Sequence, residues 1–190
     1  MSDGYFDEQA YTAVDFGAES WENGEYVDCT FKNCNLSGLD LSGDSFSNTD
    51  FVGCDLSMSK LGHTAFKEVR FKDCKLMGLH FGDCNPFLLD FKFEGCVLDF
   101  TSFFRLKIKK TLFQNCKMEK VDFTQTDMTE SAFRDCDLNQ AVFDRSVLIK
   151  CDFRTAYGYT LDPENNSLKG AKFSREGAIG LLSKYKVVIE

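Results

Sequence analysis

The stretch Phe31-Lys32-Asn33-Cys34-Asn35-Leu36-Ser37-Gly38-Leu39-Asp40-Leu41-Ser42-Gly43-Asp44-Ser45-Phe46-Ser47-Asn48-Thr49-Asp50-Phe51-Val52-Gly53-Cys54-Asp55-Leu56 repeats itself at two periods. Every fifth residue is apolar: Phe31, Leu36, Leu41, Phe46, Phe51, Leu56. The motif Phe-x-x-Cys-x-Leu then returns after 20 residues. Period five fits neither an amphipathic helix nor an alternating strand. Twenty residues are four pentapeptides, so the chain winds into coils of four sides with residues 20 apart stacked.

The pattern extends outward in both directions. From Phe6 to Phe81 all 16 positions at spacing five are apolar or aromatic. The register then slips by two residues in Gly82-Asp83-Cys84-Asn85-Pro86-Phe87 and resumes at Leu88. From there to Phe153 it holds at 14 of 14 positions. Asn85-Pro86 reads as an outward kink, and Phe91, where the repeat wants a small residue, predicts a distorted coil. Gly158 and Pro163 break the core pattern again within 154–167 before Leu168 and Phe173 restore it. Corners fall two residues after the core position, on turn formers such as Asn33, Gly38, Gly43, Asn48, Gly53, Asp73 and Gly78.

The pentapeptides Cys34-Asn35-Leu36-Ser37-Gly38, Thr49-Asp50-Phe51-Val52-Gly53 and Cys136-Asp137-Leu138-Asn139-Gln140 resemble the pentapeptide-repeat family over nearly the whole chain. The resemblance implies an all-β fold, a right-handed quadrilateral β-helix, with the core residue and the small residue two before it both inside. Residues 1–173 are assigned to this solenoid.

Residues 174–190 change character. Ser174 reads as an N-cap, Ala178, Ile179, Leu181, Leu182 and Tyr185 follow at helical spacing, and Lys186-Val187-Val188-Ile189-Glu190 reads as a strand. An open solenoid end exposes core and needs such a cap. This tail is similar to that of the Qnr and MfpA-like topoisomerase-binding subgroup. That resemblance implies a homodimer formed through Ile179, Leu181, Leu182, Tyr185, Val187, Val188 and Ile189. The two long loops of many Qnr proteins have no counterpart here.

Composition narrows the function. The 190 residues carry a formal charge of −8, which disfavours direct contact with nucleic acid or an anionic membrane. No apolar run is long enough to span a bilayer, and the acidic start Met1-Ser2-Asp3 is unlike a secretory signal, so a cytoplasmic location is expected. Six of the 9 cysteines (Cys34, Cys54, Cys74, Cys96, Cys116, Cys136) form one column, read as small, reduced interior residues. No phosphate loop, nucleophile–base pattern or metal-ligand spacing is present; the expectation is a non-enzyme without a cofactor.

Charge is uneven. Residues 1–58 have net −11, residues 59–120 net +5 and residues 121–190 net −2. Carboxylates one residue before a core position point outward. The family resemblance makes them a duplex-like surface that docks on DNA gyrase or topoisomerase IV and lowers quinolone sensitivity. The candidate contacts are Asp122, Asp127 and Asp137, near the expected dimer centre, then Asp40, Asp50 and Asp55. The alternative is a structural or adaptor protein with another protein partner.

Overall fold

A computed structural model describes residues 4–87 and 89–188. Along the chain the strands are β1 (Gly4–Asp7), β2 (Ala10–Thr12), β3 (Gly24–Val27), β4 (Thr30–Lys32), β5 (Ser45–Ser47) and β6 (Asp50–Val52). They continue with β7 (Ala65–Lys67), β8 (Val69–Lys72), β9 (Phe91–Glu94), β10 (Leu112–Gln114) and β11 (Ala132–Arg134). All pair in parallel, forming a four-stranded sheet β1-β3-β5-β7 and a seven-stranded sheet β2-β4-β6-β8-β9-β10-β11. The other two sides are held by single bridges, as in Asn35↔Asp55 and Ser102↔Asp122. The fold is the four-sided right-handed β-helix that the repeat implies.

The period-five residues are the core. Phe31, Phe51, Phe71, Phe93, Phe113, Phe133 and Phe153 are buried and stacked, with neighbouring ring centroids 4.9–5.3 Å apart and nearly parallel. Each buried Phe contributes about 1.5–3 kcal/mol, and a stacked pair adds about 0.5–1.5 kcal/mol. The small residues two places earlier face in as well. In most of them the Oγ or Sγ–H donates to a carbonyl of the preceding coil, as Ser59 does to Leu36, Thr64 to Leu41 and Cys54 to Phe31. A thiol thus replaces a hydroxyl. All nine cysteines are free and buried.

Coils join edge to edge by backbone hydrogen bonds such as Asp55 N–H to Cys34 O and Lys75 N–H to Cys54 O (3.0 and 2.9 Å). The seven turn formers named from the sequence all have positive φ. So do Met58, His63, Phe100, Arg105, Lys110 and Gln125, residues that rarely adopt it. Corner geometry is therefore imposed by the stack, since the coils on either side over-determine it.

The two-residue slip is absorbed locally. Phe81–Asp83 forms a 3-10 turn, and β9 then pairs with β8 in the register Val69↔Phe91, Phe71↔Phe93. Phe91 is not an obstacle: its ring lies inside, 5.3 Å from Phe81 and 5.5 Å from Phe66. The expected core residue Leu88 lies outside the described residues. The four-stranded sheet ends at β7, while the Phe ladder passes the slip unbroken.

At 154–167 the exposed Gly158 is bypassed, and Tyr159 and Leu161 turn inward instead. The ladder resumes at Val147↔Ser167 and Asp152↔Lys172, with Phe173 stacked on Phe153 at 5.3 Å. The tail differs from expectation in type. Its helix is two short 3-10 turns, Gly177–Leu181 and Ser183–Tyr185, because two glycines and an early left-handed Lys186 leave no room for a regular α-helix. The N-cap of the first turn is Glu176 rather than Ser174, and no side chain caps it, although the Ser174 Oγ accepts the Gly177 N–H at 2.9 Å from just before the turn. Val187 and Val188 are not in a strand, and Ile189 lies outside the described residues.

Candidate partner-binding surface

Carboxylates one place before the core point outward, and most serve the turn that follows. The Oδ1 of Asp40, Asp55, Asp122, Asp127 and Asp137 accepts the N–H two residues on, at 3.0–3.1 Å for four of them and 2.9 Å for Asp122. The acid at this position is thus a turn cap before it is a charge.

The coil geometry separates the six candidate acids. Asp40 and Asp122 lie on the side whose core residues are Leu41 and Phe123, and Asp55 and Asp137 on the side of Leu56 and Leu138. Asp50 lies in the seven-stranded sheet, and Asp127 on the side of Met128. Asp122, Asp127 and Asp137 therefore face three directions and form no single patch. Four of the six are also ion-paired one coil away or nearby: Asp40 with Lys60, Asp50 with Arg70, Asp55 with Lys75 and Asp127 with Lys109 (3.5, 2.8, 3.8 and 3.1 Å). Spacings of 20 residues between opposite charges carry this signal in the sequence itself. Burial pushes the Asp127 carboxyl up, but the Thr129 hydroxyl and N–H together with Lys109 outweigh it and hold the group below its ordinary value.

The unneutralised field sits elsewhere. Asp7, Glu8, Asp15, Glu19, Glu22, Glu25 and Asp28 are exposed on the first coils and make no ion pair among the described residues. Asp44, by contrast, is an inward carboxylate that the outward pattern hid. It is buried, and accepts from Trp21 Nε1, the Gly24 N–H and Asn23 Nδ2 at 2.8, 2.8 and 3.1 Å, tying the first coils to the next.

The C-terminal end presents Ile179, Leu182, Tyr185, Val187 and Val188 to solvent, while Leu181 packs on the core. This end is pinned in place. Lys184 Nζ bridges Asp162 and Glu164, Tyr185 Oη donates to Glu164, and Leu161 N–H donates to Gly180 O (2.7, 2.6, 2.6 and 3.1 Å). Gly177 and Gly180 lie against Tyr159 so closely that a Cβ would fall 2.1 Å from its hydroxyl and 2.4 Å from its carbonyl oxygen. A cleft of about 420 Å³ separates the 3-10 turns from Tyr157-Gly158.

Acid–base groups gather in no enclosed cleft among the described residues. A depression of about 280 Å³ on the seven-stranded sheet is lined by the paired Asp50–Arg70 and Lys72–Glu94. Burial raises the thiols of Cys84 and Cys151, the latter to about 12, which leaves them protonated and unreactive. No group of three or more His, Cys, Asp or Glu among the described residues is placed to hold a metal. No helix among them is long and apolar enough to cross a membrane.

Stacked coils with a period of five define a class, and the sequence family agrees. The model of the pentapeptide repeat region matches residues 25–86 and 87–157, so the chain belongs to the pentapeptide-repeat family. Among solved structures it is similar to a trypsin-treated variant of QnrB1, a plasmid-mediated fluoroquinolone resistance protein. That likeness has a TM-score of 0.72 and 15% identity, covering 100% of this chain and 92% of that one. Full-length QnrB1 superposes with a TM-score of 0.56 at 17% identity, covering 97% of this chain and 100% of that one. At these identities the likeness is one of fold. No curated protein sequence matches the chain.

Proposed function

We propose that this protein is a non-enzymatic, protein-binding rod whose partner is a duplex-handling enzyme of the DNA gyrase and topoisomerase IV class. The observation that carries the reading is the exposed, unpaired carboxylate field of Asp7 to Asp28, displayed on stacked coils. Outward negative charge concentrated around the first coil is a feature that an enzyme surface built for phosphates recognises. The fold likeness to a fluoroquinolone resistance protein points to the same partner class and to lowered quinolone sensitivity. In this reading the first coils make the main contact, and Asp122, Asp127 and Asp137 contribute as separate charges. The exposed Ile179, Leu182, Tyr185, Val187 and Val188 join two copies end to end, doubling the rod. The adaptor reading, with a partner unrelated to DNA, is favoured by the ion pairs that neutralise Asp40, Asp50, Asp55 and Asp127.

The test is a gyrase supercoiling assay with the full chain, with and without quinolone. Inhibition or altered quinolone-stabilised cleavage is expected. Glu19→Gln, Glu22→Gln and Glu25→Gln together weaken it more than Asp122→Asn, Asp127→Asn and Asp137→Asn together. Wild-type protein that at tens of micromolar changes neither readout abandons this reading for the adaptor one.

A further inference from the structure

The middle of the molecule carries a surface that the acidic reading does not use. Between Asp99 and Glu119 the sequence holds no acid and five bases, in a chain of net charge −8. The coil places Phe100, Phe104, Arg105, Lys107, Lys109 and Lys110 outward and exposed, with Leu106 and Ile108 alternating inward. Phe100 and Phe104 are 52% and 37% exposed, large values for aromatic residues.

This strip is built and partly unsatisfied. Its backbone is bonded to the next coil through Arg105 N–H to Thr124 O, Ile108 N–H to Asp127 O and Lys110 N–H to Thr129 O (3.1, 2.9 and 2.9 Å). The Arg105 guanidinium lies 4.7 Å over the Phe104 ring and donates through Nε to Gln125 Oε1 at 2.8 Å. Its terminal nitrogens have no partner among the described residues. Lys107 has neither ion pair nor hydrogen bond among them. Lys109 and Lys110 are held by Asp127 and Glu130 at 3.1 and 3.8 Å, and Glu130 is shared with Lys150.

We infer that the edge at Arg105, where the side of Phe103 turns into the side of Ile108, docks a short acidic polypeptide segment carrying an apolar anchor, whose carboxylates meet Arg105 and, past the corner, Lys107, and whose apolar side chain packs on Phe104 before it. The side from the corner at Arg105 to the corner at Lys110 is shorter than the ~16 Å that five fully extended residues would span, so the segment it seats is only a few residues long. Because the strip is already ordered, the segment alone loses conformational freedom on docking. A nucleic acid fits less well. Its phosphates continue at about 3.4 Å per nucleotide along each strand, and beyond the strip they meet Asp122, Asp127 and Glu130 on the next coil. The inference stands apart from the topoisomerase reading, since it concerns the basic coil and any acidic protein partner.

Fluorescence anisotropy at low salt tests it, using the full chain and a short fluorescein-labelled peptide of alternating Asp and Glu with one terminal Phe. The matching Gln peptide and single-stranded DNA are the comparison arms. The acidic peptide should bind better than both. Arg105→Glu with Lys107→Glu should weaken it at least about tenfold, as attraction becomes like-charge repulsion. The gentler pair Arg105→Gln and Lys107→Gln should fall between, with an unchanged urea midpoint in each case. Equal binding by the charge-reversed variant, or no peptide binding at all, overturns the proposal. Tighter binding of DNA assigns the strip to nucleic acid instead. Salt-sensitive self-association abolished by the same variants assigns it to the acidic first coils of a second copy.

Discussion

The coils before the slip at 82–90 and the coils after it share an interior and differ in almost everything outside it. Inside, the Phe column runs from Phe31 to Phe153 without a change of spacing or ring angle across the slip. Outside, the coils before the slip turn mostly on Gly, Asn and Asp, and the acids of the first of them, Asp7 to Asp28, make no ion pair among the described residues. The later coils turn on Phe100, Arg105, Lys110 and Gln125 and are laced by ion pairs such as Lys109–Asp127 and Lys150–Glu130. The lesson is a separation of duties. Inward positions decide that the chain coils, so outward positions are free to carry different charge and hence different partners.

That separation breaks first if the two interiors are not equivalent. Phe51→Ala and Phe113→Ala both remove a fully buried ring from the same column. Each should cost about 3–5 kcal/mol in urea denaturation. A cost for Phe51→Ala below half that of Phe113→Ala shows that the early coils are held by something other than the ladder, with the Asp44 network the first suspect.

The end of the rod offers a smaller effect. Gly180→Ala drives a Cβ into the Tyr159 carbonyl and disturbs the Leu161–Gly180 hydrogen bond. Overpacking of this kind costs about 1–3 kcal/mol. The expected result is faster proteolysis within 174–188 at little loss for coils 24–76. Loss of the whole fold at once makes the cap part of the solenoid rather than an addition to it.

The smallest effect sharpens the exterior contrast. Arg154 holds the Asp152 carboxyl below its ordinary 3.8, and Lys150 holds Glu130 below its ordinary 4.5. A carboxylate depressed in the folded state stabilises above its unfolded pKa, and that contribution is lost as pH falls through the folded value. Stability of the later coils should therefore decline below about pH 4. Asp152→Asn keeps an oxygen for the Arg154 N–H, loses at most about 1 kcal/mol at pH 7, and flattens the decline. An unchanged acid limb in this variant removes the ion pair from the account.

The charge pairing of the candidate surface was legible for the same reason the fold was. Once coils of 20 are known, Asp40 stacks on Lys60, Asp50 on Arg70 and Asp55 on Lys75, so the neutralised acids follow from counting. The same count spreads Asp122, Asp127 and Asp137 over three sides, because spacings of five and ten turn corners. Asp44 escaped because it occupies a small-residue position and faces inward, against the rule for carboxylates.

The repeat by itself determined the coil, its four sides, the two irregular stretches and the buried cysteine column. Each of these depends on the chemistry of one position repeated many times, so one weak site cannot change the outcome. Tertiary structure decided what happens where the repetition stops. Phe91 enters the core and Tyr159 replaces Gly158 because a ring must fill the space each coil leaves. The tail becomes 3-10 turns because Gly177 and Gly180 must pass within contact of Tyr159. The corners at Phe100 and Arg105 go left-handed because the coils above and below already turn there. These are consequences of neighbours in space, and a residue's place in the period does not contain them.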